Sequence, residues 1–322
     1  STGPARTIAK TARLRGFEMP HIVDQWPDIP LSAWQDTFAT LHLWTQIVGK
    51  IRLVKSPWLN HSWHATLYVT SRGLTTSPIP DGGRTFELEF DFMDHRLELH
   101  SSDGRREDVP LRPQTVASFH KQVMDALRRL DIEVRISRKP SELVDPIPFA
   151  EDEVHRSYDA ECAHRFWLAL VQADRVFKIF RARFIGKASP VHFFWGAGDL
   201  AVTRFSGRRA PEHPGGIPNL ADWVTREAYS HEVSSCGFWP GSGGIDSRAF
   251  YSYASPAPAG FAEARVGPEG AFYSKDYGEF VLPYERVARA ASPDDTLLEF
   301  LQSTYEAAAT LGGWDRAALE KS

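Results

Sequence analysis

His231, Glu232 and Cys236 fall close together in "SHEVSSCGFWPGSGG", residues 230–244. An imidazole beside a carboxylate offers general acid–base chemistry near neutral pH. A thiol within reach of that imidazole offers a nucleophile, with His231 as its base. The plainer alternative for Cys236 is a small buried side chain, the usual fate of a lone thiol. Two further histidines invite a metal: His61, and His192 within "VHFFW". Together with His231 and Glu232 they would suit an Fe(II) facial triad, or a Zn site with an open position. Neighbouring side chains of a strand point to opposite faces, so His231 and Glu232 reach one ion only if the chain turns there. No HExxH, CxxC or EF-hand spacing accompanies them. Histidines held by structural hydrogen bonds fit the same pattern.

A second group could bind rather than react. Lys50 and Lys187 each follow a long helical stretch, and Arg72 and Arg204 each follow a "VT" segment. Converging on a cleft, Lys187 and Arg204 would hold a carboxylate or phosphate. Scattered, they cap helices and pair with surface acids. Trp195, Trp239 and Tyr251 would wall a pocket for a small ligand, or simply fill a core. Two functions therefore stand side by side. One is a small-molecule enzyme with a His/carboxylate, metal-assisted site. The other is a non-catalytic binding protein for a small anionic or aromatic ligand.

The elements that must position these residues alternate between helical and extended patterns. Apolar residues at Trp34, Phe38, Leu41 and Val48 predict a helix from residue 31 that stops at Gly49. "HATLYVTSRG", "RTFELEFDF" and "RLELHSS" predict strands, 113–130 a helix, and "DIEVRIS" one more strand. The Pro-rich stretch from 138 reads as a linker. After it come a helix over 159–185, strands at "VHFFW" and "DLAVTRFS", and a short helix capped by Asn219. "SRAFYSYAS" and "GEFVLP" are extended, and a final helix opens at "SPDD".

The two halves also match each other. Leu67–Gly83 and Leu200–Gly216 share six of 17 residues at a constant offset of 133. An internal duplication follows: two helix–antiparallel-sheet–helix units in an α+β fold, packed about a pseudo-two-fold axis with the site in the cleft between them. The expected divisions are a flexible basic segment 1–26, a first repeat 27–137, a linker 138–157 and a second repeat 158–322. An insertion at about 231–280 is confined to the second repeat and carries His231, Glu232 and Cys236, so it would cover the cleft from one side.

Composition narrows the partners. The net charge is −4 with both signs interspersed, so no basic stripe marks a nucleic-acid surface. No apolar run reaches the ~20 residues of a membrane span. The basic start lacks a signal-peptide apolar segment, and two cysteines make no disulfide framework. The expectation is a cytoplasmic protein with a small-molecule partner.

The motifs "LHLWTQIVGK", "RGLTTSPIP", "FDFMDHRL", "SPVHFFWG" and "YSHEVSSCGFWPG" resemble a bacterial family described as a domain of unknown function. The resemblance runs from about Trp26 onward. It implies no activity, cofactor or catalytic residue.

Overall fold

Helix α1, Leu31–Lys55, is the element around which the others are arranged. The structure, a computed structural model, describes residues 26–29, 31–241 and 248–321. The expected basic segment, apart from Trp26, and the glycines at 243 and 244 lie outside the described residues. Every residue of α1 from Thr40 to Ile51 is buried, as expected of a helix with apolar residues on most of its faces. It does not stop at Gly49. A Cβ there would lie 2.1 Å from the Trp195 ring, so this glycine lets an indole lie against the helix rather than ending it.

The first half continues with strands β1 (Tyr68–Val69), β2 (Gly73–Thr75), β3 (Ile79–Asp81), β4 (Arg84–Asp91), β5 (Arg96–Ser101) and β6 (Arg106–Pro110), then helix α2 (Val116–Arg129). The strands form one antiparallel sheet in the order β1-β2-β4-β5-β6, with β3 also on β4. Alternation decides its inner face: Phe86, Leu88, Phe90, Leu97 and Leu99 are buried. Thr115 caps α2, its side chain accepting from the Ser118 amide. The strand expected at "DIEVRIS" is absent; those residues are irregular.

The second half holds α3 (Ala160–Ala182), β7 (His192–Phe194), β8 (Asp199–Arg209), α4 (Asp222–Ala228), β9 (His231–Trp239), β10 (Ala249–Ser255), β11 (Phe272–Ser274), β12 (Glu279–Pro283), α5 (Tyr284–Ala288), α6 (Pro293–Leu311) and α7 (Arg316–Leu319). Its sheet is antiparallel in the order β11-β12-β10-β9-β8-β7. Helix α3 packs on β8, and α6 on β9 and β10. The sheets meet edge to edge, where Leu67 and Phe193 exchange backbone hydrogen bonds of 2.9 and 2.8 Å. One continuous apolar core runs through both halves.

Helix, antiparallel sheet and helix thus occur twice, but the 17-residue correspondence does not carry into three dimensions. Val69 ends a short strand that turns back at once into β2, whereas Val202 lies within the long strand β8 opposite Cys236. Gly82 and Gly83 make the β3–β4 turn, while Gly215 and Gly216 lie in irregular chain before α4. Nor is 231–280 a cover added to a finished scaffold. It supplies β9 and β10, two inner strands of the second sheet. No helix among the described residues is long and apolar enough to cross a membrane.

Candidate functional site

The two faces of the second sheet differ in side-chain volume. Toward α3 and α6 point Leu200, Val202, Phe238, Phe250 and Leu282, all fully buried. The opposite face carries small residues, Ala201, Thr203, Ser235, Gly237 and Ala249, with Tyr251 and Tyr253 beside them on β10. Above these small residues opens a cavity of about 960 Å3. Its roof comes from residues 58–65 and from α4 with the loop before it; an end wall comes from Ser141, Glu142 and Leu143. Trp58 and Trp223, both exposed, approach with ring centroids 4.8 Å apart and mark where the cavity meets solvent.

Three carboxylates line this space: Asp199 at the start of β8, Glu279 at the start of β12, and Glu142 from the Pro-rich segment. Burial pushes Asp199 up to about 6, although the hydrogen bond from the Tyr251 hydroxyl opposes it. Burial and then the neighbouring charge of Asp199 push Glu142 up to about 7, and Lys50 acts in the other direction. Glu279 reaches about 7 for the same two reasons, burial first. Burial also brings Lys50 down to about 8, with Glu142 opposing.

The central helix fixes the segment that carries Glu142. Gln46 of α1 grips the Ser141 backbone at both ends: its amide donates to the carbonyl (3.0 Å) and its oxygen accepts from the N–H (2.8 Å). The Lys50 ammonium donates to the Ser141 hydroxyl at 2.7 Å. Glu142 itself adopts φ +62°, a left-handed conformation unfavourable for a side chain of this type. On the floor, Tyr251 lies across Gly237, where a Cβ would come within 2.3 Å of the phenol oxygen. The Tyr229 and Tyr253 hydroxyls pair at 2.9 Å. His42, from α1, meets the carbonyls of Trp195 and Gly196 at 2.9 Å each, so its bonding is structural though it lines the cavity.

The residues expected to react from sequence are distributed differently. In the regular strand β9, His231 and Cys236 differ by an odd number of positions and point to opposite faces, so His231 cannot serve Cys236 as a base. Cys236 faces the core, its Sγ 3.7 Å from the Val202 carbonyl, and burial pushes its thiol up to about 12. Native protein should therefore resist alkylation at Cys236 at pH 8, with labelling appearing only as the chain unfolds; rapid labelling of folded protein would contradict this. Glu232 also points away from the cavity and pairs with Arg208 at 2.7 Å.

Among the metal candidates, His61 and His231 are neighbours, with ring centroids 6.0 Å apart. Both nitrogens of His61 are occupied. Nδ1 donates to the Ala228 carbonyl (2.9 Å), which leaves Nε2 to accept from the Lys187 ammonium (2.7 Å). His192 stands apart, fully buried beside Trp63 and bonded to the Thr66 hydroxyl at 3.2 Å. Burial brings it down to about 3. Among the described residues, no group of three or more His, Cys, Asp or Glu could hold a metal ion, so the structure gives no seat for the Fe or Zn expected from these histidines.

The ligand-binding expectations divide. Trp195, Trp239 and Tyr251 do line the cavity. Lys187 lies at its margin, engaged with His61 and within 5.4 Å of the Trp63 ring centroid. Arg204 is on the wrong face of β8, 1% exposed and set among Phe180, Phe184 and Tyr305.

Glu142, Asp199 and Glu279 went unseen in the sequence. Asp199 had a legible signal: "DLAVT" places an acid, an alanine and a threonine on one strand face and a leucine and a valine on the other. That pattern marks a sheet face left open. Glu142 had none, because only the folded Pro-rich segment brings it to the wall.

No curated protein and no solved structure matches the chain. A family model does, over residues 26–321, and it is described as a family of unknown function (DUF5996). The chain belongs to that family.

Proposed function

We propose that this cavity is the active site of a small-molecule enzyme working by proton transfer, with Asp199 and Glu142 as the acid–base groups. One observation carries the reading: three carboxylates line one aromatic-walled cavity, each lifted by burial toward neutral pH. Carboxyl groups poised near the working pH exchange protons most effectively. Burying them costs folding free energy that a purely structural wall would avoid. Tyr251 holds Asp199 in a fixed orientation, and the strained backbone at Glu142 is of the kind that collects at functional sites. A cytoplasmic setting belongs to the same proposal, supported by a chain with only two cysteines.

The test is to incubate the purified protein and its Asp199→Asn variant with a metabolite extract and follow both by untargeted mass spectrometry. Wild-type protein should deplete one compound and produce another, and Asp199→Asn should lower that conversion by about a hundredfold or more. The aromatic lining favours a second reading, binding without turnover. Retention of a compound with no product by either protein would replace the enzyme reading with that one.

A further inference from the structure

Resting on the cavity being a small-molecule site, we propose that its ligand is an organic amine, whose ammonium seats among Glu142, Asp199 and Glu279. All three acids line the cavity, the charge of Asp199 acts on both Glu142 and Glu279, and Lys50 is the cation that acts on Glu142, its ammonium already donating to Ser141. The side chains of Glu142 and Glu279 accept no hydrogen bond and form no ion pair among the described residues; Asp199 accepts from Tyr251. An ionised carboxylate has about four acceptor positions, so most of the capacity here is unfilled. An ammonium brings three donors and the missing charge. A metal ion is the poorer fit, since no described group of acids and histidines has the arrangement to ligate one.

The cations that could hold an anionic ligand are committed elsewhere. Lys187 is bonded to His61, Arg208 to Glu232, and Arg204 is buried behind the sheet. The aromatic lining adds a preference of the same sign, because ring faces attract cations and repel anions. Tyr251 and Tyr253 stack at 6.1 Å beside Asp199, and Trp195 and Trp239 extend the aromatic surface. These walls fit an amine on an apolar or aromatic skeleton.

Three probes sharing one skeleton test this: 4-phenylbutylamine, 4-phenylbutanol and 4-phenylbutyrate, titrated calorimetrically into the full chain at pH 7.5. The amine should bind at least about tenfold more tightly than the alcohol, and the carboxylate weakest of all. The double variant Glu142→Gln, Glu279→Gln should cut the amine's advantage over the alcohol by most of its size, with unfolding curves checking that it folds. The wild-type preference should also shrink at pH 5.5, where the acids are protonated; this arm needs no variant. Equal binding of all three probes, or a preference for the carboxylate, overturns the amine and leaves a small-molecule cavity standing. Failure of all three to bind counts against both the amine and the cavity as a small-molecule site.

Discussion

At pH 8 the Glu142→Gln variant should be more stable than the parent chain by about 3 kcal/mol, and at pH 4 the two should be alike. The sign follows from the direction of the shift. Glu142 is an acid whose folded-state pKa, about 7, lies above its ordinary value of 4.5. Between those values the folded chain holds a proton that the unfolded chain has released, so stability falls as pH rises through this window. The loss is complete above pH 7, and about 2.5 units at 1.36 kcal/mol each sets its size. Glutamine keeps the shape and removes the charge. Paired urea unfolding curves at the two pH values measure the difference. A variant less stable than the parent at pH 8 would show that the carboxylate is well accommodated, and the case for a functional acid there would fail. Stability gained by neutralising a site residue is the usual mark of a group retained for activity.

Replacing Arg204 with alanine should cost about 3–5 kcal/mol, the range for losing a large buried side chain and its contacts. The guanidinium lies 3.5 Å from the Phe180 ring centroid, 4.3 Å from that of Tyr305 and 5.0 Å from that of Phe184. It also donates to the Phe180 carbonyl at the end of α3. Burial brings its pKa down to about 10, a sign that the charge itself is poorly solvated. Arg204→Met should therefore recover most of the loss, because it refills the space and removes an expensive buried cation. Thermal or urea unfolding of both variants decides it. An alanine variant as stable as the parent would return Arg204 to consideration as a ligand-binding residue.

Arg204 also shows why the site was only half legible in sequence. Elements with a strong local pattern are where the sequence places them: α3 with its Asp159 cap, α6 opening at Pro293, the alternating β4 and β5. Of the aromatic wall, Tyr251 falls on a strand of clear pattern, whereas Trp195 lies in the turn after β7 and Trp239 ends β9, a strand not predicted from the sequence. Which face of β8 and β9 meets helices and which meets the cavity depends on tertiary packing. The choice sent Arg204, Glu232 and Cys236 to the core side and Asp199 to the cavity. The turn residues that suggested a repeat, Gly82 with Gly83 and Gly215 with Gly216, do different work in the two halves. Glycine and proline report local chain reversal, and reversal alone does not report what is being joined.

The paired hydrogen bonds between Leu67 and Phe193 have a consequence for how the protein is made. They join strands from opposite halves of the chain, and the cavity is completed only when β12 arrives at the far side of the same sheet. On the ribosome, the first sheet leaves the tunnel with β1 as an open edge, before its partner strand, more than a hundred residues further along the chain than Leu67, has emerged. Assembly of the site is thus among the last events of folding, governed by contacts of long sequence separation that form slowly. A cell making this protein quickly would have to shield that edge until Phe193 emerges, which makes the nascent chain, more than the finished one, a natural client for a chaperone.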